Sequence, residues 1–120
     1  MKLAISSYSF HRFGNGPEED RKPDFAALVE RCAEWGLDGI ELLGVHFEST
    51  EPGALHALKQ QALRHGVALV AVSAHHNFVT PDPQKRRQEI DKLCRWMDGA
   101  YELGAPAVRA FGGRGRGATA

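Results

Sequence analysis

One unit recurs three times along this chain: CAEWGLDGIELL from Cys32, ALRHGVALVAVS from Ala62 and AYELGAPAVRAF from Ala100. In each, a segment with helical spacing runs to a glycine (Gly36, Gly66 or Gly104), and an apolar run opens one or two residues later. Glycine suits that place because the residue that ends a helix often takes a left-handed backbone conformation. Upstream of the first glycine, Phe25, Leu28, Val29 and Cys32 keep helical spacing, with Asp24 as the candidate N-cap after Pro23. Leu55, Leu58 and Ala62 mark a second helix. A third carries Ile90, Leu93, Cys94, Met97 and Tyr101 on one stripe and starts at TPDPQ, where Asp82 can cap and Pro83 suits the first helical position.

With KLAISS as an opening strand, strands and helices alternate from end to end. Alternation at this spacing implies right-handed βαβ units and a parallel sheet, so the fold class is α/β. Two architectures fit, an open doubly wound sheet or a (β/α)₈ barrel. No GxGxxG follows the first strand to support a dinucleotide fold. Four βα units make half a barrel, assigned to residues 1–113. Residues 114–120, RGRGATA, are expected to form a disordered tail. AVRAFGG reads as a strand entering a glycine turn in mid-protein, so the chain is expected to be the N-terminal portion of a longer barrel.

Charge and composition narrow the partners. Acidic and basic residues balance at 15 each, which argues against nucleic acid or an anionic membrane as the main partner. No apolar run approaches the ~18 residues of a membrane span, and MKLAISSYSF lacks the apolar core of a signal peptide. Cys32 and Cys94 both sit in helical apolar patterns and read as reduced core residues of a cytoplasmic protein.

In parallel α/β proteins ligands bind at the carboxyl ends of the strands. Glu41 lies five residues past Gly36 and Arg109 five past Gly104, each between apolar neighbours. If those neighbours face the helices, Glu41 and Arg109 share the opposite face. His75, nine past Gly66, has the same parity, whereas His76 points the other way. Either these groups pair with one another to fill the barrel mouth, or they face a polar substrate. Adjacent strand histidines cannot both face one ion, and no His-x3-His or Cys-x2-Cys pair occurs, so no metal site is assigned. His46, His56 and His65, near or in the second helix, read as solvated. The long loop YSFHRFGNGPEEDRKP brings Tyr8, Phe10, Phe13, His11 and Arg12 to the same end. Its aromatics either wall a sugar, with His11 or Arg12 reaching in, or only anchor the loop.

KLAISSYSF, GLDGIELL, VSAHHNFV and LGAPAVRAFGG together resemble the sugar phosphate isomerase/epimerase family of xylose isomerase-like (β/α)₈ barrels, over nearly all the chain to about Gly113. Among its relatives are ketose 3-epimerases, hydroxypyruvate isomerases, inosose dehydratases and endonuclease IV. The resemblance implies a sugar or sugar phosphate substrate and proton or hydride transfer next to a carbonyl. It also implies a divalent metal (Mn, Mg, Zn or Co) held by Glu, Asp and His on later strands, which match nothing in this chain. Two other readings stand beside it. One is a non-catalytic half-barrel module that self-associates through its exposed edges or binds a partner. The other is a DNA-repair nuclease of the endonuclease IV type.

Overall fold

In a computed structural model, which describes residues 1–10 and 22–115, the first helix α1 (Phe25–Glu34) opens where the Asp24 carboxylate accepts the backbone N–H groups of Ala26 and Ala27 at 2.9 and 3.4 Å. Those are donors that the first helical turn leaves without a partner. Its buried side is Leu28, Val29 and Cys32. The second helix, α2 (Pro52–Arg64), buries Leu55 and Ala62. The third, α3 (Pro83–Leu103), starts with Asp82 capping Gln84 and Lys85 and with Pro83 in its first turn. The backbone leaves the three helices through Gly36, Gly66 and Gly104, whose φ angles of +68°, +67° and +73° are those a side chain would strain.

The strands that follow are β1 (Ala4–Ser6), β2 (Gly39–Leu43), β3 (Ala68–Ser73) and β4 (Val108–Arg109). They form one parallel sheet in the order β1-β2-β3-β4. A doubly wound sheet reverses its strand order at a switch point, and these four strands show no reversal. Crossovers of one hand then return on one side of the sheet. A single core lies there, with Val29, Cys32, Ile40, Leu42 and Val72 fully buried. This is half of a (β/α)₈ barrel. Among the described residues no helix is long and apolar enough to cross a membrane.

The stripe on α3 does not face this core. Ile90, Cys94, Met97 and Tyr101 are exposed, Tyr101 to 82%. That corrects the expectation of a core cysteine at position 94, whereas Cys32 is buried as expected. Helix α3 instead buries Gly99, Ala100 and Leu103, and Trp96 packs against Phe47 with ring centroids 5.2 Å apart. The reason is geometric: among the described residues, α3 packs on a helix only on its α2 side. Part of the stripe (Leu93, Met97 and Tyr101) lines an open groove of about 580 Å³ with Pro106, Val108 and Ala110 along β4.

Two substitutions separate the faces. Leu42→Ala, in the core, is expected to cost about 2–5 kcal/mol, and Tyr101→Lys, in the groove, no more than about 0.5 kcal/mol. Urea denaturation of both variants checks this. A large loss at Tyr101 would mean that its stripe is packed in solution.

Candidate functional site

The polar side of the sheet is organised around Glu41, and Gly39 makes that arrangement possible. Strand β3 pairs with β2 as Ile40↔Leu69 and then Glu41↔Ala71, so Val70 is an extra, bulged residue. A β-carbon on Gly39 would sit 2.6 Å from Val70 Cγ1 and 2.8 Å from the Ala68 carbonyl oxygen, so only glycine leaves room for the bulge. Strict alternation from Leu69, which faces the helices, would send Ser73 to the helical side as well. The bulge reverses the parity: Val72 goes into the core and Ser73 turns to Glu41. Bulges commonly re-aim side chains in this way beside functional sites.

The Ser73 hydroxyl donates to Glu41 Oε1. Arg109 Nε lies 3.8 Å from the same oxygen. Burial works against the Glu41 charge, yet the hydroxyls of Ser73 and Ser6 and the Arg109 guanidinium outweigh it and hold the carboxyl below its ordinary 4.5. Glu41 is therefore an anion that accepts hydrogen bonds, and Arg109 beside it is 55% exposed. The two sequence-assigned residues are brought together, and Ser6 and Ser73 join them. The serines carried no sequence signal that separated them from other strand-end serines.

Beside this row, the turn after β4 is clamped to the loop after β3. Phe78 N–H donates to the Gly112 carbonyl at 3.2 Å, and the Asn77 side chain donates to the Arg114 carbonyl at 3.3 Å. Phe111 is the centre of the junction. Its ring lies parallel to His76 at 5.2 Å and edge-on to His75 at 5.8 Å, with the Arg109 guanidinium carbon 5.4 Å from its centroid. Its N–H donates to His76 Nε2 at 3.2 Å. The two histidines thus meet the same ring, contrary to the expectation of opposite directions, because β3 ends at Ser73 and alternation no longer governs residues 75 and 76. The Nδ1 atoms of both are buried without a hydrogen-bond partner among the described residues.

Of the other assigned residues, Tyr8 borders this row, its backbone N–H donating to the Ser6 hydroxyl at 3.4 Å. Tyr8, in a 3₁₀ turn after β1 (Ser7–Phe10), is 60% exposed. Phe10 stacks on Trp35 at the end of α1, ring centroids 5.9 Å apart. His11, with Arg12 and Phe13, lies outside the described residues, as do residues 116–120 of the tail. His46 is not solvated, in contrast to its expected state. It sits buried in the turn Gly44–His46, and its Nδ1 is 3.2 Å from the hydroxyl of Ser7, which is fully buried and accepts the Leu43 N–H. His56 pairs with Glu102 at 2.7 Å and His65 caps α2, both partly exposed. Among the described residues no group of three or more His, Cys, Asp or Glu side chains could hold a metal ion. Glu41 is already engaged by two hydroxyls and a guanidinium. These residues therefore do not fit the divalent metal that the resemblance implies.

A family model described as a xylose isomerase-like TIM barrel matches residues 29–120. Among solved structures, a D-psicose 3-epimerase in the presence of D-fructose superposes with a TM-score of 0.72 at 19% identity, over 90% of this chain and 36% of that one. A D-psicose 3-epimerase from Clostridium cellulolyticum H10 with D-tagatose gives 0.70 at 23%, over 90% and 36%. The probable 3-DHS dehydratase AsbF from Bacillus anthracis gives 0.62 at 20%, over 92% and 38%. At such identities the likeness is one of fold, and the chain spans less than two-fifths of each of these structures. No curated protein matches it.

The Glu41 network has a defined pH signature. A carboxyl held below 4.5 adds stability that is fully present above 4.5 and is lost as pH falls through the folded value. Ser73→Ala is expected to raise the Glu41 midpoint in a carboxyl-detected NMR titration, and Gly39→Ala to raise it by displacing the bulge. An unchanged midpoint in both variants would remove the serine from the account.

Proposed function

The chain belongs to the xylose isomerase-like TIM barrel family, and we propose that it forms the N-terminal half of a sugar isomerase or epimerase site, with Glu41, His75 and Arg109 facing the substrate. The observation that carries this reading is the row Ser6, Glu41, Ser73 and Arg109 on the face of the sheet opposite the helical core. A sugar offers hydroxyl groups that both donate and accept. An ionised carboxylate beside a guanidinium supplies the matching acceptor and donors.

Glu41 binds in this scheme and does not abstract the proton. A general base works best with a pKa near the operating pH, and this carboxyl is held below 4.5. The proton or hydride transfer next to the carbonyl falls to groups other than these, and no step is assigned to a metal here. Glu41 would repel a phosphate ester and the Arg109 guanidinium would attract one, so the pair leaves both free and phosphorylated sugars to be compared. Tyr8, Phe10 and His11 supply the remaining wall in this proposal.

A second reading is favoured by the groove along β4. A two-residue edge strand beside exposed Met97 and Tyr101 suits a half-barrel that associates with another copy without catalysing anything.

Saturation-transfer NMR with D-fructose and D-tagatose, each compared with D-fructose 6-phosphate, tests the first reading. Binding of a free or phosphorylated ketose that weakens at least about tenfold in Arg109→Ala and His75→Ala supports it, as expected for the loss of charged or buried polar contacts. Wild-type binding in both variants, or no binding of any sugar by a monodisperse dimer, overturns it in favour of the second.

A further inference from the structure

The junction around Phe111 assigns a role to His76, which the site row itself does not contain. His76 is 7% exposed and its ring lies parallel to Phe111. Its Nε2 accepts the Phe111 N–H, a contact that requires a lone pair on that nitrogen. Protonation would put a hydrogen on Nε2, directly opposite the Phe111 N–H, and the contact would turn from attraction to repulsion. Phe111 in turn carries the guanidinium of Arg109 against its ring, in the position that sets Nε 3.8 Å from Glu41. A chain of contacts therefore runs from His76 through Phe111 to Arg109.

We propose that His76 is a positioning residue for Arg109: the neutral imidazole holds Phe111, Phe111 holds the guanidinium at Glu41, and a proton on His76 releases all three. Charged and titratable groups around the junction include His75 and Arg109, which meet the same Phe111 ring, Asp82 in the same loop, Arg114, whose carbonyl is tied to that loop, and Arg86 and Glu89 on α3, a helix that also carries Lys85, Arg87, Asp91 and Lys92. Arg86 and Glu89 bond the backbone of that loop, at Phe78 and Asn77. Among the described residues no carboxylate takes a hydrogen bond from His76, whose Nδ1 is unpartnered, so nothing among these groups holds an imidazolium in place. Glu41 stays ionised throughout the histidine range because its carboxyl lies below 4.5. The switch consequently moves the cation of the pair and leaves the anion. The inference deepens the reading of Arg109 as a ligand-facing group, but it concerns the arginine itself.

The test reads Arg109 directly and needs no substrate. In ¹H–¹⁵N NMR of the whole chain, the Phe111 amide and the Arg109 Nε–H are followed from about pH 8 to 5, the range in which histidines titrate. Exchange of the Phe111 amide is measured in parallel, corrected for its intrinsic dependence on pH. The expected result is a coupled shift of both resonances with one midpoint, and a loss of Phe111 protection of about tenfold, the scale of one hydrogen bond. His76→Gln, which offers an oxygen acceptor and cannot take up a proton, is expected to keep Phe111 protected and Arg109 unshifted down to pH 5. His76→Phe, which keeps a ring and loses the acceptor, is expected to show the released state at every pH. His75→Gln is expected to leave the transition in place. The proposal is overturned if the two resonances titrate apart, if His76→Gln titrates like the wild type, or if His75→Gln abolishes the transition. A chain that shows this transition and binds no sugar would sink the proposed function and leave the positioning role standing.

Discussion

Each helix of this chain returns the backbone to the next strand on the same side of the sheet, so the opposite face is furnished by the strands alone. The helical side is apolar, with Ile40, Leu42 and Val72 fully buried against α1, α2 and α3. The other side receives a carboxylate on β2. Partial burial of that charge carries a desolvation cost unless it is paired and hydrogen-bonded. The polar groups of three neighbouring strands, Ser6, Ser73 and Arg109, meet that cost for Glu41.

The smallest residue on β2 sets the aim of the whole row. Without a side chain at Gly39, Val70 can bulge. Because Val70 bulges, the last part of β3 turns over, and Ser73 reaches Glu41 instead of entering the core. A register change of one residue exchanges every side chain between the two faces of a strand. Here that exchange is confined to the end of β3 where the site lies. The same end of the sheet is then stiffened by the clamp between residues 77–78 and 112–114.

Features governed by local backbone chemistry were legible before any coordinates. Gly36, Gly66 and Gly104 announced the helix ends, Asp24 and Asp82 the beginnings, and the parity of Glu41 and Arg109 their common face. What stayed hidden depends on neighbours. Periodicity marks an apolar stripe on α3 but cannot say which side has a helix to pack against, so the core position expected for Cys94 is an exposed one. Alternation does not extend past Ser73, where β3 ends, so His75 and His76 could not be sorted by counting. His46 looked like a surface histidine because nothing local to it reveals that Ser7, 39 positions away in sequence, meets its ring. Phe111 carries no sequence signal for the same reason. Its partners come from the preceding loop, and its part in the site is mechanical.

The half-barrel also explains why the serines matter more than the ion pair. Arg109 is 55% exposed and 3.8 Å from Glu41, so in this chain water screens much of their attraction. Covering this face with further strands would strip that water and act on Glu41 in two opposing ways. The attraction to Arg109 would strengthen as the local dielectric falls, while desolvation would push the carboxyl towards its neutral form. The hydroxyls of Ser6 and Ser73 donate to the ionised carboxylate and need no rearrangement when the face closes. They are the groups that let Glu41 carry its charge into a covered site.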